Sequence, residues 1–219
     1  MHTATLTRIR LNLRHPAVRR DLADYPGLHK TLMRLAPDHL GPQPRRQAGL
    51  LFRLDPHLRQ PTLLVQTTTP PDLAALPSGY GTADTRDLTP LLTALRPGQR
   101  VHYRITANPS ARAGQRPTPT PADTSARRRP RPVIALHGND AMAWWRRRAE
   151  MAGLALESAT MLPRDFRRPH RSQPGPCHRL VQFDGTAHIT DAAALADALC
   201  TGIGKTKSYG AGLLSLAPA

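Results

Sequence analysis

Residues 202–212 constrain the fold more than any other stretch. They read Gly202-Ile203-Gly204-Lys205-Thr206-Lys207-Ser208-Tyr209-Gly210-Ala211-Gly212, and they lie between a helical pattern and the apolar run Leu213-Leu214-Ser215-Leu216. Glycine reaches positive φ without a Cβ penalty, so four glycines here dictate a sharp turn that links a helix to a strand. Successive backbone N–H groups in such a turn make a concave anion site. Lys205 and Lys207 are two of only three lysines in the chain, the third being Lys30. Taken alone, the loop has two readings. It is a grip on a phosphate backbone, or it is a tight turn with a solvated charge pair. Gly204-Lys205-Thr206 does not complete a nucleotide-binding P-loop. That motif needs a glycine where Leu199 stands, a strand before it and a helix after it, and the order here is the reverse.

The charge balance favours the first reading. Of 219 residues, 31 are Lys or Arg and 15 are Asp or Glu, for a formal charge of +16 and a pI of about 11.5. The dominance of arginine over lysine is consistent with a codon bias, but the scarcity of acids is not explained that way. It suits a polyanionic partner, with nucleic acid first and an anionic membrane surface as the rival. No apolar run approaches the roughly 18 residues of a membrane span. No signal peptide opens the chain, so a cytoplasmic location is expected. Cys177 and Cys200 do not make a disulfide framework and read as two cytosolic thiols. The ten histidines show no paired metal-ligand spacing, and Cys177-His178 alone is not a site. No metal and no cofactor are expected.

In chain order, Thr3 to Leu13 alternates like a strand, and a polar stretch follows to Asp24. Leu28, Leu32 and Leu35 recur at helical spacing. Pro26 suits the first turn of that helix, and Pro37 ends it. Gln47 to Asp55 and Pro61 to Thr69 are strands around a turn at Pro56 to Gln60. Asp87 to Leu95 is a short helix, and Arg100 to Ala107 is a strand ending at Asn108-Pro109. The sum is β-α-β-β-α-β, an N-terminal ferredoxin-like unit over residues 1–108. Residues 109–132 are rich in proline, threonine and arginine and form a basic linker. The second half, 133–219, repeats the pattern. Val133 to Leu136 is a strand, and Asn139 to Gly153 is a helix. Leu154 to Leu162 and His178 to Asp184 are strands, with a turn at Asp184-Gly185. Thr190 caps a helix through Leu195 and Leu199, and the glycine loop and a final strand close the chain. The fold class is α+β, two tandem ferredoxin-like (RRM-like) domains.

Basic residues cluster at Arg127, Arg128, Arg129 and Arg131, at Arg146 to Arg148, and between Arg164 and Arg171, which includes Arg167 and Arg168. Each run is either a phosphate-tracking surface or a solvated face. Aromatic residues make up only 4% of the chain, which disfavours base stacking on aromatic platforms and favours recognition of a duplex or hairpin by shape and phosphates. His29 stands on the first helix with Tyr25 four residues earlier, on the same face, and Lys30 beside it. A histidine and a tyrosine near a cation suit metal-free phosphodiester cleavage, which needs a base, an acid and positive charge on the phosphate. A histidine that only supports the helix is the competing reading.

Together these features resemble the CRISPR-associated RNA-processing endoribonucleases of the CasE family, from the type I-E Cascade complex. Three anchors carry the resemblance. The glycine loop running through Leu213-Leu214-Ser215-Leu216-Ala217-Pro218 is similar to the family's signature loop nearly residue for residue. Tyr103-Arg104-Ile105-Thr106-Ala107-Asn108-Pro109 is similar to its strand end, and Leu28-His29 with Leu32 and Pro37 to its first helix. The resemblance implies cleavage of CRISPR precursor RNA at the base of the repeat hairpin for antiviral defence, without metal, by attack of the 2′-hydroxyl. It implies 5′-hydroxyl and 2′,3′-cyclic phosphate ends and a protein that is a monomer when free and later a Cascade subunit on its crRNA. His29 falls on the family's catalytic histidine. The tyrosine often found three residues earlier is replaced by Pro26, with Tyr25 one residue off. The linker end and the Arg164 to Arg171 segment match the family's RNA-gripping regions in place. An RNA-hairpin-binding subunit that does not cut is the alternative, and a basic DNA-binding or ribosomal-type module is a more distant one.

Overall fold

The computed structural model describes residues 2–56, 60–112, 132–167 and 178–219, with backbone alone for residues 165–167. The first sheet contains β1 (Thr5–Leu11), β2 (Leu51–Asp55), β3 (Thr62–Thr67) and β4 (Gly81–Asp87) in the order β2-β3-β1-β4. All its neighbours are antiparallel, with Thr7 opposite Val65 on one side and Thr85 on the other. Between β1 and β2 run α1 (Pro16–Ala23), α2 (Tyr25–Met33) and the short α3 (Pro44–Gln47). Between β3 and β4 there is only a 3₁₀ turn, Leu73–Ala75. This is the ferredoxin-like topology with its second helix reduced to one turn.

Local chemistry explains the helices. Asp24 caps α2 by accepting from the Gly27 N–H at 3.2 Å, and Pro26 sits in the first turn as expected. Leu28 and Leu32 are buried on its inner face with Leu35 just beyond its end. The polar stretch up to Asp24 contains α1, whose Pro16 start is capped by the His15 ring. Val18 and Leu22 give α1 too little apolar periodicity to reveal it.

One expectation is corrected by the pairing. Arg100–Ala107 (β5) leads the second sheet and does not close the first. The strand that does close the first, β4, has the sequence GTADTRD with only Ala83 less than exposed. No apolar alternation marks it. It is held by its ladder to β1, by Arg8 donating to Asp84 at 2.9 Å and by the Thr7–Thr85 hydroxyl pair at 3.1 Å. Helix α4 (Thr89–Ala94) then crosses to β5. Sheet membership therefore changes between Asp87 and Arg100, ahead of the expected boundary at Asn108.

The second sheet has the order β11-β5-β10-β8, formed by β5, β8 (Leu154–Leu156), β10 (His178–Ile189) and β11 (Leu214–Pro218), and β9 (Thr160–Arg167) also pairs with β10. With α5 (Gly138–Met151) after β5 and α6 (Ala192–Thr201) after β10, it repeats the topology of the first. Val133–Ala135 (β7) is not its first strand. It forms a separate ribbon with β6 (Ser110–Arg112). Residues 113–131, with the arginine cluster of the expected linker, lie outside the described residues. Asp184-Gly185 is not a turn, because β10 runs straight through it. Gly185 is there for close approach, since a Cβ would lie 2.1 Å from the Ser158 carbonyl oxygen and 2.8 Å from the Tyr103 hydroxyl. The cap of α6 is Asp191, accepting from the Ala193 and Ala194 N–H groups, and not Thr190.

Each sheet covers its own core. The first gathers Ile9, Leu28, Leu32, Phe52, Leu63 and Tyr80, with the Tyr80 hydroxyl donating to buried Asp21 at 2.9 Å. The second is built on Trp145, which stacks on Phe183 at 5.6 Å and donates its N–H to the Tyr103 hydroxyl at 3.2 Å. Between the sheets, Gln66 of β3 donates to the Leu199 carbonyl at the end of α6, at 2.8 Å. Leu51 of β2 packs against Gly202, where an added Cβ would lie 2.6 Å from a Leu51 methyl.

Candidate active site

His29 leaves α2 partly buried, its ring stacked 6.3 Å from that of Phe52 at an interplanar angle of 18°. Its Nδ1 is buried with no hydrogen-bond partner among the described residues. Burial, and then the Arg45 guanidinium, hold its pKa below the usual 6.5. Both disfavour the charged imidazolium, so the ring is a neutral base over a wider pH range than a free histidine.

The glycine loop also packs against Phe52. It leaves α6 at Gly202 (φ 75°) and closes on itself when the Ile203 N–H donates to the Gly212 carbonyl at 2.9 Å. The Gly212 N–H in turn donates to the Thr106 carbonyl of β5 at 2.7 Å, which ties the loop to the second sheet. Thr206 is the one non-glycine residue with positive φ among the described residues, at 68°, and its hydroxyl accepts from Asn108 Nδ2 at 2.8 Å. The loop's 3₁₀ turn, Lys207–Tyr209, packs on both α2 and β2. At Gly210 (φ 80°) an added Cβ would lie 3.1 Å from the Phe52 ring. The ring of Phe52 thus touches both the histidine and the loop.

Lys207 is partly buried in the same place, and its pKa is lowered by burial and then by Arg45 and Arg46. Arg45 donates to the Leu50 carbonyl at 3.0 Å, which anchors its head beside this region. Arg45 is therefore close enough to both His29 and Lys207 to act on each, and the three make one electropositive neighbourhood where the loop's 3₁₀ turn packs on α2 and β2. Sequence reasoning misses Arg45 and Arg46. Their one signal is a basic pair opening α3 after Pro44, and the arginine background hides it.

The other expected site residues are dispersed. Tyr25 is buried in the first turn of α2 and borders a cavity of about 300 Å³ that is also lined by Thr106, Arg164 and Gly210. Arg164 is held there by Gln182, which accepts from its Nε at 3.0 Å. Lys205 is exposed on the loop. Arg146 is exposed on α5 and lines a different, open groove with Glu150 and Glu157. Arg127, Arg128, Arg129, Arg168 and Arg171, and the side chain of Arg167, lie outside the described residues. Among the described residues no three His, Cys, Asp or Glu side chains come together as a metal-ligand set.

The profile of a family described as CRISPR associated protein matches residues 5–218. A curated relative, the CRISPR-associated endoribonuclease Cse3 of Thermus thermophilus, is 34% identical over 227 residues, covering 97% of this chain and 99% of its own. Thermus thermophilus Cse3 bound to an RNA representing a pre-cleavage complex superposes with a TM-score of 0.81 at 30% identity, over 99% of this chain and 100% of that one. A chain of a CRISPR RNA-guided surveillance complex is 36% identical with a TM-score of 0.66, over 98% and 100%.

Proposed function

The chain belongs to the CasE family of CRISPR-associated endoribonucleases, and from that premise we propose how its own residues cut RNA. It cleaves CRISPR precursor RNA at the base of the repeat hairpin and remains on the product as a Cascade subunit. The observation that carries this is the single ring, Phe52, that seats His29 against the glycine loop. His29, neutral at physiological pH, takes the proton of the 2′-hydroxyl. The resulting oxygen attacks the adjacent phosphorus, and the bond to the 5′-oxygen breaks. Arg45 stabilises the charge that develops on the phosphate, where a preorganised cation acts most strongly. Lys207, whose like-charged and partly buried surroundings favour proton loss, protonates the leaving 5′-oxygen. Tyr25 is assigned to the wall of the cavity that takes the flanking strand, a wall it shares with Arg164. Lys205 and the basic runs at Arg127, Arg146 and Arg167 hold phosphates of the hairpin. No helix among the described residues is long and apolar enough to cross a membrane, and we place the protein in the cytoplasm with its transcript.

The mechanism requires no metal and fixes the products. With EDTA present, the upstream fragment should end in a 2′,3′-cyclic phosphate and the downstream fragment should begin with a 5′-hydroxyl. A 2′-deoxy nucleotide at the scissile position should bind normally and stay intact. Cleavage of that deoxy substrate would rule out 2′-hydroxyl attack. The burial of Tyr25 favours a second reading, a hairpin-holding subunit that does not cut, which predicts tight binding with no products.

A further inference from the structure

Arg53 stands beside Phe52 on β2 and is almost fully buried, at 3% exposure. A buried arginine must have every donor satisfied or it destabilises the fold. Its Nε and one terminal nitrogen fork onto Asp55 at 2.8 and 3.0 Å. The other terminal nitrogen crosses to the second unit. It donates to the Ser215 hydroxyl at 2.9 Å and the Arg104 carbonyl at 3.3 Å, and approaches the Leu213 carbonyl at 3.5 Å. Leu213 directly follows the glycine loop, and Leu51, on the same side of β2, meets Gly202 at the loop's start. Successive side chains of a strand point to opposite faces. One face of β2 therefore carries Phe52 beneath His29. The other face carries Leu51 and Arg53, which hold the two ends of the loop.

We infer that Arg53 is a positioning residue for cleavage: it fixes the glycine loop, and with it Lys207 and Gly210, at the working distance from His29. It touches neither RNA nor the reacting atoms. The inference rests on the proposed reaction for its first readout and is independent of it for the second. A lysine at position 53 keeps one cation but not the fork that spans Asp55 and the loop end. Because a lone Asp55 would be left as an unpaired carboxylate, the decisive variant is the double change Arg53→Met with Asp55→Asn, which removes both charges together.

The first readout is single-turnover cleavage of the labelled repeat hairpin at saturating protein. The double variant should cut with full amplitude and a rate constant lower by about 10²-fold, the cost of a misplacement near 1 Å. Hairpin affinity should stay within about threefold, since the phosphate contacts that dominate binding remain. Arg53→Lys should recover part of the rate. The second readout needs no cleavage. Followed by NMR in the free protein, His29 should titrate below 6.5 in the wild type. Its titration should move back towards 6.5 in the double variant as the loop parts from Phe52, while Arg45 stays in place beside the ring. A wild type that does not cut would overturn the proposed reaction, and the titration would still decide on Arg53. A rate constant and a His29 titration both equal to the wild type, with only amplitude or melting temperature reduced, would show that Arg53 merely holds the fold together.

Discussion

The two units follow one strand order and fill its connections differently. In the first, the crossover after the third strand is a single 3₁₀ turn, Leu73–Ala75, leading to the nearly bare strand β4. In the second, the same crossover is the 10-residue helix α6 followed by the glycine loop. The crossover after the first strand shows the opposite emphasis. The first unit places α1, α2 and α3 there and puts its histidine on α2, whereas the second has the single 14-residue α5. Trp144 and Trp145 on α5 are buried, and Trp145 is completely so. The topology thus supplies equivalent slots, and the site draws one part from each unit. In the proposed reaction the base comes from an early crossover and the phosphate-gripping loop from a late one, and Phe52 of β2 lies against both.

Changes in the two units should therefore have different signatures. The largest effect is expected from His29→Ala, which should lower the single-turnover rate constant by about 10²- to 10⁴-fold and leave hairpin affinity unchanged. A rate at the wild-type level would remove His29 from the chemistry. Next in size, Trp145→Ala in the second core should destabilise folding by about 3–5 kcal/mol in chemical denaturation. Tyr80→Phe in the first core, which strips the neutral donor from buried Asp21, should cost about 1–3 kcal/mol. If the two costs came out in the reverse order, the first unit would be the more tightly built of the two.

Smaller effects test the loop and the charge at the site. Lys207→Ala should weaken hairpin binding and reduce the slope of log K against log salt by about 0.7–0.9, the share of one phosphate if the lysine neutralises it as proposed. His29→Ala should leave the slope alone. The smallest effect concerns pH. In the proposed reaction the base form of His29 is the active one, and its pKa is held below 6.5 by burial and then by Arg45, so the acid limb of the cleavage profile should lie below 6.5. Arg45→Gln removes a cation that disfavours the imidazolium, so the limb should move upward in pH. The same sign governs stability. The unfolded histidine takes up a proton more readily than the folded one, so the contribution of His29 is fully present above 6.5 and is lost as the pH falls below it.

The parts of this arrangement that depend on local sequence are legible in it. Asp24, Pro26 and the leucine spacing announce α2, and the four glycines announce the loop. The fold class follows from the order of elements. What cannot be read depends on pairing at a distance. GTADTRD carries no apolar alternation, so β4 becomes a strand only because β1 offers it an edge. With β4 hidden in this way, the alternation of β5 points to the wrong sheet. Gly185 has the turn chemistry of Asp-Gly, yet Ser158 and Tyr103 on neighbouring strands are what require a residue without a Cβ there. Arg45 and Arg53 are two arginines among many in the sequence. Only the meeting of the two units separates them from the solvated majority.

The claim that a histidine of one unit and a loop of the other form a single metal-free ribonuclease site is tested most directly by the wild-type protein itself. A labelled CRISPR repeat hairpin would be incubated with excess protein and EDTA, with binding and cleavage followed on the same samples. The account predicts complete single-turnover cutting at one position at the base of the hairpin. Saturated binding with the hairpin left intact would contradict it and identify the chain as a subunit that holds RNA without cutting it.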